Sequence, residues 1–239
     1  MPTALITGAN RGLGLECARQ LAAAGHSVYL AARHLETAEQ AAAQLTGDVR
    51  PLVLDVTRLE TITDAAKRLK GEIDSLEILI NNAGVYPAGD ANPATVDAAA
   101  ISQALLTNVA GPQWVTQAFI PLLAAARPNA CVVNVSSGLG SFGLCAESGG
   151  EFHDYIGTCY GSSKAALNML TVAWAKQLAL VKSPIRINAV SPGWCQTDMG
   201  GVTAPRTPEQ GAATLLRYAT LSADGPSGRF FGPDGEIPW

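Results

Sequence analysis

Charge is scarce in this chain of 239 residues: Asp, Glu, Lys and Arg make up 15 % of it, and the formal net charge is −4. No basic stripe is available to neutralise a phosphate backbone, so nucleic acid is excluded as an expected partner. Long hydrophobic runs are also missing. The longest, AFIPLLAAA at 118–126, contains a proline and falls far short of the roughly 20 apolar residues that cross a bilayer. The strand-like run TALIT begins at Thr3 and leaves no room for the charged and apolar regions of a secretion signal. A soluble, cytoplasmic protein with no membrane partner is therefore expected. Cysteine is sparse and lacks pattern: Cys17, Cys131, Cys145, Cys159 and Cys195 are odd in number, show no CxxC spacing and share no helical face with His26, His34 or His153. Buried thiols in a reducing compartment fit this better than a disulfide frame, and no metal site is expected.

Hydrophobic residues, at 48 %, are sufficient for a sizeable core, and neither a low-complexity linker nor a repeat divides the chain. Short β-rich runs recur at 3–7, 27–32, 50–56, 76–82, 130–137 and 185–191. Between them lie Ala-, Leu-, Glu- and Gln-rich stretches of helical period, among them 15–25, with Gly25 placed as a C-cap, and 35–47. This alternation implies right-handed βαβ crossovers. The expected fold is α/β: a single Rossmann-type, doubly wound parallel sheet of about seven strands in the order 3-2-1-4-5-6-7, with helices on both faces, spanning 1–239 as one domain. Irregular stretches rich in Pro and Gly occupy 84–93, 138–158, 192–208 and 224–238, and the first three follow strands, where a site in such a sheet belongs.

The first strand is followed by TGANRGLGLE, Thr7 to Glu16. Gly8 permits a tight turn, Gly12 lets backbone approach a pyrophosphate, Gly14 allows close helix packing, and Asn10, Arg11 and Leu13 fill the loop between them. The helix start behind this loop offers free N–H groups and partial positive charge to an anion. The second strand ends LAAR: Ala32 stands where an acid would bind a ribose 2′-hydroxyl, and Arg33 offers a planar cation to a 2′-phosphate. Arg11 can reinforce it. The expected cofactor is NADP(H); the alternative is that both arginines are solvated surface charges and Glu36 turns toward the site.

TGxxxGxG at the amino end, NNAG at 81–84, NVAG at 108–111, NVSS at 134–137, YGSSK at 160–164 and SPGW at 191–194 occur in the order found in short-chain dehydrogenases/reductases, which the chain resembles over nearly its whole length. AARHLE after the second strand, PGWCQTDMGG at 192–201, TPEQGAATLLRYATL at 207–221 and the tail at 225–239 are similar to the carbonyl-reductase branch. That resemblance implies an NADPH-dependent reductase acting on a ketone, aldehyde or quinone, working as a monomer or homo-oligomer.

Tyr155 and Tyr160 compete for the role of acid. Tyr160 and Lys164 are i and i+4, one helical turn apart on one face, whereas Tyr155 lies nine residues from the lysine. Only Tyr160 fits the family's YxxxK. A free tyrosine has a pKa of about 10, and Lys164 with an oxidised nicotinamide is expected to lower it toward the working range. By the resemblance, Lys164 also holds ribose hydroxyls, the second serine of NVSS, Ser137, binds the reacting oxygen in preference to Ser136, and Asn108 steadies a water behind the lysine. An Asn bonded to a neighbouring carbonyl is the alternative for Asn108. The same resemblance puts Asp55 and Val56 at the adenine, Asn82, Ala83 and Gly84 along the cofactor, Asn81 in the sheet, and Pro192, Gly193, Trp194 and Thr197 at the nicotinamide.

The stretch between Ser137 and Tyr160 is longer than the simplest relatives need and reads as an insertion, 138–159, beside the substrate: a lid, a pocket wall or a shield over an oligomer face. With the loop 194–207 it offers Leu139, Phe142, Tyr155, Trp194 and Met199, mostly apolar, which suits an aromatic or apolar carbonyl substrate. His153 and Asp154 read as a solvated loop. Two rival functions remain: an alcohol dehydrogenase or pathway ketoreductase of the same family, and a dinucleotide sensor, against which the presence of both Tyr160 and Lys164 argues.

Overall fold

A computed structural model describes residues 1–239 apart from 91, 127 and 129. Six strands fall on the six β-rich runs: β1 (Thr3–Ile6), β2 (Ser27–Ala32), β3 (Val49–Val53), β4 (Ile78–Asn81), β5 (Cys131–Val135) and β6 (Arg186–Val190). They pair in parallel, in the order β3-β2-β1-β4-β5-β6. The order reverses between β1 and β4, which opens a crevice beyond their carboxyl ends.

The sheet then continues past the expected seventh strand. β7 (Phe230–Gly232) runs parallel to β6, and β8 (Gly235–Glu236) folds back antiparallel on β7, giving eight strands among the described residues. The stretch 224–238, read as irregular for its Pro and Gly, thus carries two short strands. What draws it in is Phe230 and Phe231, both buried, with Phe231 stacked on Tyr218 at 4.2 Å.

The helices are α1 (Gly12–Ala23), α2 (Leu35–Ala42), α3 (Leu59–Glu72), α4 (Ala98–Leu105), α5 (Gly111–Ala125), α6 (Phe142–Ala146), α7 (Cys159–Leu180) and α8 (Pro208–Ala219). α2 stops short of the predicted 47, and Gly47, at φ +102°, turns the chain into β3. α4 and α5 are joined through one π-helical turn, Leu106–Ala110, which contains Asn108.

Alternate side chains of the central strands serve opposite faces. Ala4 and Ile6 pack with Val28, Leu30, Leu21 and Leu215 under α1 and α8, while Leu5 packs with Tyr29, Leu79, Phe119 and Leu123 under α3 and α5. Each large side chain so buried contributes about 1.5–3 kcal/mol, which is why these strands read as continuous apolar runs rather than alternating ones. The five thiols are free; four are buried and Cys145 is partly so. No helix among the described residues is long and apolar enough to cross a membrane.

Candidate active site

The crevice begins at the glycine loop between β1 and α1. Gly8 sits at φ +62°, where a Cβ would come within 2.9 Å of the Ala83 backbone; at Gly14 a Cβ would meet Asn82 Nδ2 at 2.5 Å and the Ala9 and Gly8 backbone at 2.8 Å. The Asn82 amide donates to Thr7 O at 2.9 Å and Gly8 O at 3.0 Å. Its amide nitrogen thus holds the glycine loop against β4. α1 starts with no side-chain cap and no acid in its first turn. A tight cradle with an uncapped, positive helix start behind it fits a diphosphate.

Ala32 is buried at the end of β2, and Arg33 is exposed beyond it with no hydrogen bond or ion pair to any described residue. Arg11 differs: its Nη1 donates to Asp198 Oδ2 at 2.6 Å, an exposed pair that ties the glycine loop to the loop 194–207. Thr197 Cγ2 lies 3.5 Å from where a Cβ on Gly12 would stand. Asp55 Oδ1 accepts from Thr57 N and Oγ1, at 2.9 and 2.7 Å, just beyond β3, with Val56 buried beside it. After β6, Gly193 takes φ +78° behind Pro192, and the exposed Trp194 donates Nε1 to Gly200 O.

A buried polar ladder sets the position of α7. Asn81 and Asn134, paired in register on β4 and β5, share a hydrogen bond of 2.8 Å; Asn81 also donates to Thr116 on α5, and Asn134 to Thr171 on α7. Asn81 braces the sheet, as the sequence predicted. Further along, Ser136 Oγ donates to Asn168 Oδ1 at 2.6 Å, Asn168 donates to Gly140 O, and Lys164 Nζ donates to Val135 O at 2.7 Å. Each bond would cost more to break than it contributes, because its partner would be left buried and unpaired. Ser136 is thus committed to packing.

These stitches bring Tyr160, Lys164 and Ser137 together at the carboxyl end of β5. Lys164 Nζ stands 5.4 Å from the Tyr160 ring centroid. Burial pushes the Tyr160 phenol up to about 12; a hydrogen bond with Ser137 offsets part of this, and the neighbouring Tyr86 adds to it. The predicted lowering by Lys164 is not found in the protein alone. The ammonium is turned to the Val135 carbonyl, and its own pKa is brought down to about 8 by burial, with 4 % of the residue exposed. Asn108 is fully engaged: Oδ1 accepts from Val85 N at 2.8 Å, and Nδ2 donates to Val85 O and Ser163 Oγ at 2.9 Å each. These bonds reach Val85 in the loop after β4 and Ser163 on α7 rather than a carbonyl of its own helical turn, and Gly84 passes beside it and Lys164 Nζ.

Two residues not singled out in the sequence join the cluster. Tyr86 lies against the Tyr160 ring at 4.9 Å, and the carboxylate of Asp90 receives three backbone N–H groups at the start of α7. No periodicity marks them in the irregular stretch 84–93, and Thr158 reads in the sequence as an ordinary cap for α7, so no local signal points to Asp90. Beside the cluster lies a cleft of about 510 Å3, lined by Tyr86, Asp90, Asn92, Asp154, Tyr155, Ile156 and Gly157, with Tyr160, Ser137 and Lys164 outside its lining. Of the five expected substrate-lining residues, Tyr155 lines this cleft; Leu139, Phe142, Trp194 and Met199 do not. Phe142 is 76 % exposed, because the insertion packs backward on the tail, with Ser141 Oγ donating to Pro238 O and Gly143 N to Trp239 O.

A doubly wound sheet with a glycine cradle at its first crossover defines a dinucleotide-binding protein. The family model described as short chain dehydrogenase matches residues 2–207, and the chain belongs to the short-chain dehydrogenase/reductase family. It is 38 % identical over 227 residues to the short-chain dehydrogenase anuI of Penicillium roqueforti, covering 92 % of this chain and 88 % of that one. It is 30 % identical over 276 residues to carbonyl reductase (NADPH) 1 of Bos taurus, covering 99 % and 98 %. The solved NADPH-bound carbonyl reductase from chicken fatty liver superposes with a TM-score of 0.86 at 30 % identity, covering 100 % and 99 % of the two chains.

Proposed function

We propose that this chain is an NADPH-dependent carbonyl reductase, one dinucleotide-binding and catalytic domain in which Tyr160 is the proton donor. The observation that carries the reading is the cluster of Tyr160, Lys164 and Ser137 at the carboxyl end of β5, on the same edge of the sheet as the glycine cradle. Relatives named as NADPH carbonyl reductases support the cofactor and the reaction class. Gly8, Asn10, Arg11, Gly12, Leu13 and Gly14 would surround the pyrophosphate, Arg33 would meet the 2′-phosphate, and Asp55 and Val56 would face the adenine. Ala83, Gly84, Pro192, Gly193, Trp194 and Thr197 would border the nicotinamide half. The bound cofactor supplies the hydride.

The chain's own residues handle the proton. The Tyr160 phenol is neutral at working pH, the state an acid must be in, while burial, which pushes it up to about 12, makes it a weaker acid whose phenolate needs support. Its O–H gives the proton to the carbonyl oxygen as negative charge develops there, while the Ser137 hydroxyl bonds the same oxygen. Lys164 supplies positive charge one turn behind the phenol and so limits the cost of the phenolate left after transfer. Tyr86, Tyr155 and Ile156 give the cleft beside the cluster an aromatic and apolar wall among the polar Asp90, Asn92 and Asp154, and that wall favours aromatic ketones and quinones over aliphatic aldehydes.

The test is NADPH consumption across aromatic ketones, quinones and aliphatic aldehydes, for the native chain and for Tyr160→Phe. General acid catalysis contributes about 10²–10⁴-fold, so the variant should lose at least a hundredfold in kcat. Near-full activity in Tyr160→Phe would remove the proton-donor role.

A further inference from the structure

α7, the helix that carries Tyr160 and Lys164, begins without a cap of its own. Thr158 precedes its first residue with helical backbone angles, φ −93° and ψ −48°, makes no side-chain capping bond, and is followed by no acid in the first turn. A helix start leaves several N–H groups unpaired and concentrates partial positive charge, and a buried start needs a partner for both. Here the partner comes from a different crossover, the loop after β4. Asp90, 6 % exposed in the loop after β4, accepts from Thr158 N at 2.6 Å and Cys159 N at 2.5 Å through Oδ1, and from Tyr160 N at 2.7 Å through Oδ2.

The loop that carries Asp90 is itself fixed to the same cluster. Val85 is held through both its N–H and its carbonyl by the Asn108 amide, and the Tyr86 ring rests on Tyr160. The backbone of Tyr160 is therefore clamped from one end of this loop while its ring is braced from the other. We infer that Asp90 is a positioning residue: its carboxylate caps α7 from a distance and sets where the Tyr160 hydroxyl stands relative to the reacting carbonyl.

An asparagine cannot reproduce this. It has one acceptor oxygen for three donors and would turn an NH2 toward at least one N–H. A displacement of the acid by about 1 Å is enough to cost on the order of 100-fold in rate. The inference rests on Tyr160 being the proton donor, so Tyr160→Phe is measured alongside.

For Asp90→Asn and Asp90→Glu, with the wild type's fastest carbonyl substrate, the readouts are kcat, KM, the NADPH Kd by fluorescence quenching, and the D2O solvent isotope effect on kcat. The expected result for both is a kcat lowered by roughly 10- to 100-fold, with KM and NADPH Kd within about threefold of wild type. The solvent isotope effect should rise, because a misplaced acid makes proton transfer limiting. Should Asp90→Asn fail to fold, Asp90→Glu keeps the charge with its oxygens one methylene further out and carries the test alone. An unchanged isotope effect in a folded variant, whether kcat holds or falls only through a smaller active fraction, overturns the role. Tyr160→Phe at near-full rate sinks the donor reading and this one together; an inactive Tyr160→Phe beside unaltered Asp90 variants sinks this one alone.

Discussion

Replacing Lys164 with Met should make the protein more stable and inactive at once. Burial brings the Lys164 ammonium from an ordinary 10.5 down to about 8, so its charge is held at a cost. At about 1.4 kcal/mol per pKa unit, the penalty below pH 8 is about 3 kcal/mol. The sign follows from proton counting. Between pH 8 and 10.5 the unfolded chain binds the lysine proton and the folded one does not, so this group's contribution to stability rises with pH across that window. Methionine removes the charge and fills a similar volume, but it leaves the Val135 carbonyl without its 2.7 Å donor, a pH-independent loss of about 1 kcal/mol. The variant should therefore be about 2 kcal/mol more stable than wild type at pH 7. That advantage should shrink to nearly nothing at pH 10. Urea unfolding followed by tryptophan fluorescence at both pH values, on wild type and variant together, cancels the other groups that titrate there. A stability difference that does not change with pH, or a wild type more stable than the variant at pH 7, would refute the claim that a costly buried ammonium is kept for function.

Arg33→Asp should lower the NADPH-over-NADH preference in kcat/KM by about 10- to 100-fold, the worth of one hydrogen-bonded charge contact, and an unchanged ratio in a cofactor titration would remove Arg33 from the 2′-phosphate. Gly14→Ala forces a methyl group to within 2.8 Å of loop backbone, which has no flexible end to yield. It should cost about 1–3 kcal/mol, lower the melting temperature by several degrees and weaken NADPH binding in the same preparation. A variant matching wild type in both would show the cradle to be looser than its geometry states.

Local spacing made much of this protein legible. Six strands, the glycine turn after the first, and Tyr160 with Lys164 one turn apart are written in short stretches, because strand period, helix period and turn chemistry act over a few residues. Where that reasoning missed, the cause was distance along the chain. A seventh strand is expected from the sequence, but its place in the tail, and β8 after it, depend on Phe230 and Phe231 packing against β6 and α8, which no feature of a Pro- and Gly-rich stretch announces. The spacing puts Lys164 near Tyr160 but does not fix which way Nζ turns: in the protein alone a strand carbonyl takes the ammonium and burial raises the phenol, while the expected lowering also invokes the oxidised nicotinamide and so concerns the cofactor-bound state.

The sequence by itself determined a parallel α/β sheet, a dinucleotide cradle, the absence of an acid at the end of β2, and which of two tyrosines stands over the lysine. Only the tertiary structure decided that Asn134 and Asn168 stitch the sheet and its adjoining turn to α7, that Arg11 reaches Asp198, and that a carboxylate 70 residues before Tyr160 caps its helix. Those contacts form only where separate crossovers meet, and burial there, rather than spacing, sets what each hydrogen bond and each charge is worth.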